Sequence, residues 1–122
     1  MSAWRQKTIN CIPELKQDFE DPETSIYGVF FEILPALIEA HKKQDTERIE
    51  KIYGFAEWCF KQKELWNAAG VAFYEHLVDY EEAKLEIEKW VKFDIYKEIR
   101  SLLEIRIGKD EVLKLDKKYK GR

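Results

Sequence analysis

Long apolar runs are missing from this 122-residue chain, and so are most of the patterns that announce a chemistry. No uncharged stretch approaches the ~18 residues that a membrane-crossing helix needs, so no span is expected. The two cysteines, Cys11 and Cys59, lie far apart and match no zinc spacing. Cys59 falls inside Phe55-Ala56-Glu57-Trp58-Cys59-Phe60, where it reads as a small buried hydrophobe, and reduced thiols in the cytoplasm are the expectation. Met1-Ser2-Ala3-Trp4-Arg5-Gln6-Lys7 lacks the apolar core of a signal peptide. Neither sign of charge dominates: the net charge of −3 argues against a general nucleic-acid binder, which needs a basic face. There is no Gly-rich phosphate loop, no Ser or Cys nucleophile with a nearby base, no acidic metal box, and no H-E-x-x-H or E-x-x-H pattern. No cofactor and no metal are therefore expected. Five glycines and three prolines against 37% charged residues favour helices, and strand alternation and Asn-Gly or Asp-Gly turns are lacking.

What is present is apolar and aromatic. Hydrophobic residues make up 45% of the chain, with 4 Trp, 6 Tyr and 7 Phe, enough for a globular core at this length. The most informative segment is Leu65-Trp66-Asn67-Ala68-Ala69-Gly70-Val71-Ala72-Phe73-Tyr74, ten residues without a charge. As a helix it is apolar on every side, which predicts a rod enclosed by other helices at the centre of the fold. Its small residues let neighbours approach, and its rings fill the gaps.

Around it the apolar spacing predicts a single all-α domain over 1–122. Its parts are a helical arm over 2–20, core helices over 25–107 and a basic C-terminal helix or tail over 110–122. Ser2 can cap the arm and Pro13 interrupts it. A second helix spans 25–43 with Ile26, Val29, Phe30, Ile33, Leu34, Leu37 and Ile38 on one face and a kinking Pro35 inside it. A third follows Asp45 and Thr46, a fourth spans 64–78, and a fifth spans 80–90. A sixth is capped by Asp94 and stopped by Gly108. Short links favour antiparallel neighbours in a compact bundle of five to seven helices. Stacked helix pairs of the HEAT or armadillo kind are the alternative.

Five residues are candidates for a ligand or partner pocket: Glu32, Trp66, Asn67, Tyr74 and His76. Glu32 is a carboxylate on a face of small side chains with no basic residue within a turn; plain solvent exposure competes with a role as a partly buried acid. Asn67 is the one strongly polar group in the uncharged segment. A structural hydrogen bond there competes with a polar-aromatic pocket shared with Trp66 and Tyr74. His76, near the end of the uncharged helix, is the better acid–base candidate of the two histidines, although a structural role is preferred. His41, beside Lys42 and Lys43, is read as capping the end of the second helix. Lys114, Lys117, Lys118, Lys120 and Arg122 read as a solvated helix end rather than a phosphate-binding tail.

The segments 18–32, 55–60 and 65–77 resemble a bacterial family of small uncharacterised all-helical proteins, over most of residues 13–107. The resemblance implies a fold and no catalytic residues; likeness to helical-repeat scaffolds implies binding another protein through a groove or face. The function expected is thus a non-enzymatic protein–protein interaction module, regulatory or toxin-neutralising. The alternative is a small-molecule binding protein or enzyme whose Glu32, Asn67, Tyr74 and His76 converge on one cavity. The expected partner is another protein, without membrane and without nucleic acid.

Overall fold

The computed structural model describes residues 2–121. Nine α-helical segments and two 3-10 segments follow one another, and no strand occurs among the described residues. The fold is all-α. Five helices are long: α1 (Ala3–Cys11), α3 (Ile26–Lys43), α4 (Thr46–Phe60), α8 (Phe93–Ile107) and α9 (Lys109–Lys120). Four are short: α2 (Lys16–Glu20), α5 (Trp66–Ala72), α6 (Glu81–Lys84) and α7 (Ile87–Trp90). The number exceeds seven because the expected helices over 2–20 and 80–90 are each broken in two.

In the arm, Pro13 opens a 3-10 turn at Pro13–Leu15 that separates α1 from α2. Ser2 makes no side-chain cap. What ties the arm down is Arg5, whose guanidinium donates to the carbonyls of Phe19 (2.9 Å), Asp21 (2.8 Å) and Thr24 (2.7 Å). One side chain thereby satisfies the turn that leads into α3.

α3 and α4 form the regular half. The Ser25 hydroxyl accepts from the Gly28 amide and the Asp45 carboxylate from the Arg48 amide, so each helix has its N-cap. Pro35 sits within α3 without ending it, on the exposed side. Between the two helices Gln44 takes a left-handed conformation (φ 57°), and its side chain donates to the His41 carbonyl. Phe30 of α3 meets Phe55 of α4 at 5.6 Å and Phe73 at 5.6 Å; both Phe30 and Phe73 are fully buried. Burial of each such ring contributes about 2–3 kcal/mol.

The uncharged segment departs from its expectation in two ways. It is α-helical only over Trp66–Ala72, breaks at Phe73, and continues as a 3-10 segment over Tyr74–Asp79. Nor is it enclosed all round: Ala68, Ala69, Gly70 and Ala72 are buried, Val71 is half-buried, and Trp66 is 52% exposed with Asn67 beside it in solvent. The side chains that fill the interior come from the far end, where Phe73 packs on Phe30 and Tyr53 while Tyr74 packs edge-on against Phe60. The near end is a surface.

Over 80–90, Ala83 and Ile87 point inward while Leu85 stays exposed. The chain turns at 85–86 between α6 and α7, which lets the Glu86 carboxylate reach His41. Asp94 does not cap α8: Lys92 holds the N-cap position and Asp94 lies in the first turn, 3.8 Å from Lys61. Gly108 (φ 89°) separates α8 from α9. α9 is docked rather than loose, with Val112 and Leu115 buried, Asp116 clasped by Arg100 (2.7 Å), and the Tyr119 hydroxyl donating to the Val91 carbonyl (2.7 Å). Lys114 pairs with Glu111, and Arg122 lies outside the described residues. No helix among the described residues is long and apolar enough to cross a membrane.

Candidate functional site

The most prominent concavity is a groove of about 600 Å³ between α5 and α8. Its floor is apolar, made by Phe60, Gly70, Ile99 and Leu102. One wall is α5 with the preceding loop, carrying Trp66, Asn67 and Lys63; the other is α8, carrying Glu98 and Ser101. Gly70 is what makes the floor deep. A Cβ there would meet Phe60 Cε1 at 3.8 Å and Leu102 Cδ1 at 3.9 Å, which is ordinary contact. A methyl group would therefore fit, at the expense of groove depth.

Asn67 is held by Tyr27 of α3, whose hydroxyl accepts from the Asn67 amide nitrogen at 2.9 Å. Its polar group is thus engaged across helices at the surface rather than in the core. Beside it, Trp66 keeps half of its indole in solvent. On α8, Ile105 follows Leu102 by three residues and is 80% exposed, so it extends the apolar wall along the helix.

The five sequence candidates do not meet. Trp66 and Asn67 share the groove, whose lining includes none of Glu32, Tyr74 and His76. Tyr74 is buried against Phe60 and Phe73, and burial pushes its phenol well above the usual tyrosine range. It can neither face a ligand nor give up its proton there. His76 Nδ1 lies 3.0 Å from Asp79, whose carboxylate also takes two hydrogen bonds from Arg106 (2.9 and 2.6 Å). Arg106 and then His76 hold the Asp79 carboxyl below its ordinary value. This cluster pins the 3-10 segment to α8. Glu32 stands beside Asp18 of α2; desolvation and then the neighbouring negative charge raise its pKa. One Glu32 oxygen is buried without a hydrogen-bond donor. Convergence of Glu32, Asn67, Tyr74 and His76 on one cavity, the geometry that the small-molecule or enzyme reading of these residues needs, is absent.

The polar group that looks most like machinery is one that the sequence reading placed elsewhere. His41 does not cap the end of α3 with its ring. It is 2% exposed, with Nδ1 2.8 Å from Glu86 Oε1 and Nε2 3.1 Å from the Tyr53 hydroxyl. A carboxylate accepts, so Nδ1–H donates to Glu86, and in the neutral ring Nε2 then accepts from the Tyr53 hydroxyl. Burial, then Glu86, drives the Tyr53 phenol far up in pKa, and Trp90 stacks on its ring at 5.9 Å. His41 and Tyr53 are buried and Glu86 is a quarter exposed, and the three are mutually hydrogen-bonded, which suits a structural role. The partners of His41 lie 12 and 45 residues away along the chain, and no local spacing signals them. The thiols are equally withdrawn, burial pushing Cys11 up to about 11 and Cys59 up to about 12.

The α8 side of the groove escaped the sequence reading as well. Its signal was Ile105, an apolar residue that falls off the core face of α8.

No curated protein and no solved structure matches this chain. A family described as a domain of unknown function, DUF7674, matches residues 5–106, which takes in the whole α5/α8 groove and leaves α9 outside. The chain belongs to the DUF7674 family.

Proposed function

We propose that this protein is a non-enzymatic protein–protein interaction module of a bacterial cytoplasm, with a regulatory or toxin-neutralising role, and that the α5/α8 groove is its recognition surface. One observation carries the reading: a tryptophan half in solvent stands over an apolar floor, in a molecule whose two histidines are committed to internal bonds. Trp is the residue type most enriched at interface hot spots, and partly exposed aromatic grooves accept apolar side chains of a partner. From Glu98 to Ile105 the α8 wall runs for about two helical turns, enough for anchors on a facing helix.

The experiment is site-specific photo-crosslinking in the source cell, from position 102 inside the groove and from position 50, an exposed residue of α4, as control. One protein captured from 102 and not from 50, and lost with Trp66→Ala, is the expected result. Equal capture from both positions, or capture unaffected by Trp66→Ala, overturns the reading.

A second reading is favoured by the groove's volume alone, which lies in the range of small-ligand sites. It takes an apolar small molecule bound without chemistry. Thermal shifts across a library of flat apolar compounds, abolished by Gly70→Leu, would support it over the first.

A further inference from the structure

The two walls of the groove carry opposite, unspent charges. Lys63 stands on the α5 side and Glu98 on the α8 side, both exposed, and neither makes an ion pair among the described residues. The neighbouring Lys61 differs, being engaged by Glu57 (3.1 Å) and Asp94 (3.8 Å). Trp66 is exposed on the Lys63 wall and, seven residues further along α8 than Glu98, Ile105 is exposed on the other.

Such a surface is complementary to itself under one particular symmetry. A two-fold axis running along the groove turns one copy over so that its α5 wall covers the α8 wall of the other. Lys63 of each copy then faces Glu98 of its mate, twice, and each Trp66 comes to lie over the mate's Leu102 and Ile105. An axis across the groove would set like charges together instead and is disfavoured. We infer that the occupant of the groove is a second copy of this chain, in a two-fold dimer whose axis follows the groove. The inference rests on the interaction reading above and names the partner. Trp66 and Ile105 are exposed and the half-buried Leu102 lines the open groove, so no rearrangement is needed. The charged groups sit at the rim, where they set orientation more than affinity.

The test is sedimentation velocity from micromolar to near-millimolar protein, on the intact chain and on two charge variants at exposed positions. Lys63→Glu makes a copy with Glu at both rim positions, and Glu98→Lys one with Lys at both. Each alone faces like charge twice in its own dimer and is expected to lose roughly tenfold in association. Mixed in equal amounts, the two complement each other at both pairs, and association returns to the level of the unaltered chain. Trp66→Ala lowers association by roughly 30-fold or more. Circular dichroism confirms that the helical signal is retained in each variant. A chain that stays monomeric throughout overturns the inference, as does a dimer indifferent to the charge variants or a mixture that fails to recover. A monomeric chain that still yields a groove-specific crosslink to another protein sinks the dimer and leaves the interaction reading standing, so the two failures are distinguishable.

Discussion

His41 and Trp66 stand in opposite conditions, and the contrast shows how to read this molecule. His41 is a polar, titratable side chain placed where nothing outside can reach it, with both ring nitrogens occupied by Glu86 and Tyr53. Trp66 is a large apolar side chain placed where water reaches half of it. Chemistry is usually sought at the first kind of group. Here the first kind is structural and the second is what remains available. An unpaired buried polar group costs more than its bond is worth when made, so the histidine triad is a constraint on folding. An exposed indole over an apolar floor adds little to folding and retains its burial energy for a partner.

The contrast can be broken or sharpened by substitution. The largest effect on stability is expected at His41→Ala. It leaves the Glu86 carboxylate and Tyr53 hydroxyl without their partner and opens a void, so urea unfolding should show a loss of about 2–4 kcal/mol. A loss below about 1 kcal/mol would mean that the triad is not the constraint described.

Gly70→Ala sharpens the groove side. The added methyl meets Phe60 and Leu102 at ordinary distances, and alanine is the better helix former. A gain of about 0.5–1 kcal/mol in urea unfolding is expected, together with weaker association because the floor is raised. Stability and recognition would then move in opposite directions at one position.

Glu32 gives a pH-dependent case. Its folded pKa is raised by burial and by Asp18, so its contribution to stability is full below the unfolded pKa and is lost as pH rises through the folded one. Glu32→Gln should therefore stabilise at neutral pH, by less than about 1 kcal/mol, and change nothing near pH 3, where the carboxyl is protonated in both states. Asp79 and Asp116 run the other way. Arg106 and Arg100 lower their pKa values, so their contribution is present above the unfolded value and fades only below about pH 4. Hydrogen-exchange protection, taken relative to the intrinsic rate at each pH, should fall along Lys109–Lys120 in that acid range and hold between pH 5 and 8. Last, Trp66→Ala should leave unfolding within about 0.5 kcal/mol of the unaltered chain, as suits an exposed side chain away from the core, while association falls.

Where the sequence was legible, a single period decided the outcome. The buried face of α3 contains the predicted residues from Val29 to Ile38, with Ile26 half-buried at its start and Ala40 and His41 added at its end, and Ser25, Asp45 and Gly108 mark the boundaries that their chemistry suggests. Local rules suffice there because a cap and a 3.6-residue period act within a few residues. The uncharged segment was misjudged because absence of charge is not burial. Ala68, Ala69 and Ala72 went inside, while Trp66 was left at the edge of the groove. Asn67 and Trp66 are chain neighbours at the start of α5, and both line the groove. Glu32, Tyr74 and His76 were dispersed by contacts with Asp18, Phe60 and Asp79. Of these only the His76–Asp79 contact is local, and it lies in a 3-10 segment where a helix was expected.

The most direct test of the central claim uses the four tryptophans as reporters in a dilution series followed by nuclear magnetic resonance of their indole N–H groups. Trp4, Trp58 and Trp90 are half-buried against the core and Trp66 stands open in the groove. The Trp66 signal should move with protein concentration while the other three hold still. Four stationary signals, or movement of another indole with Trp66 fixed, would contradict it.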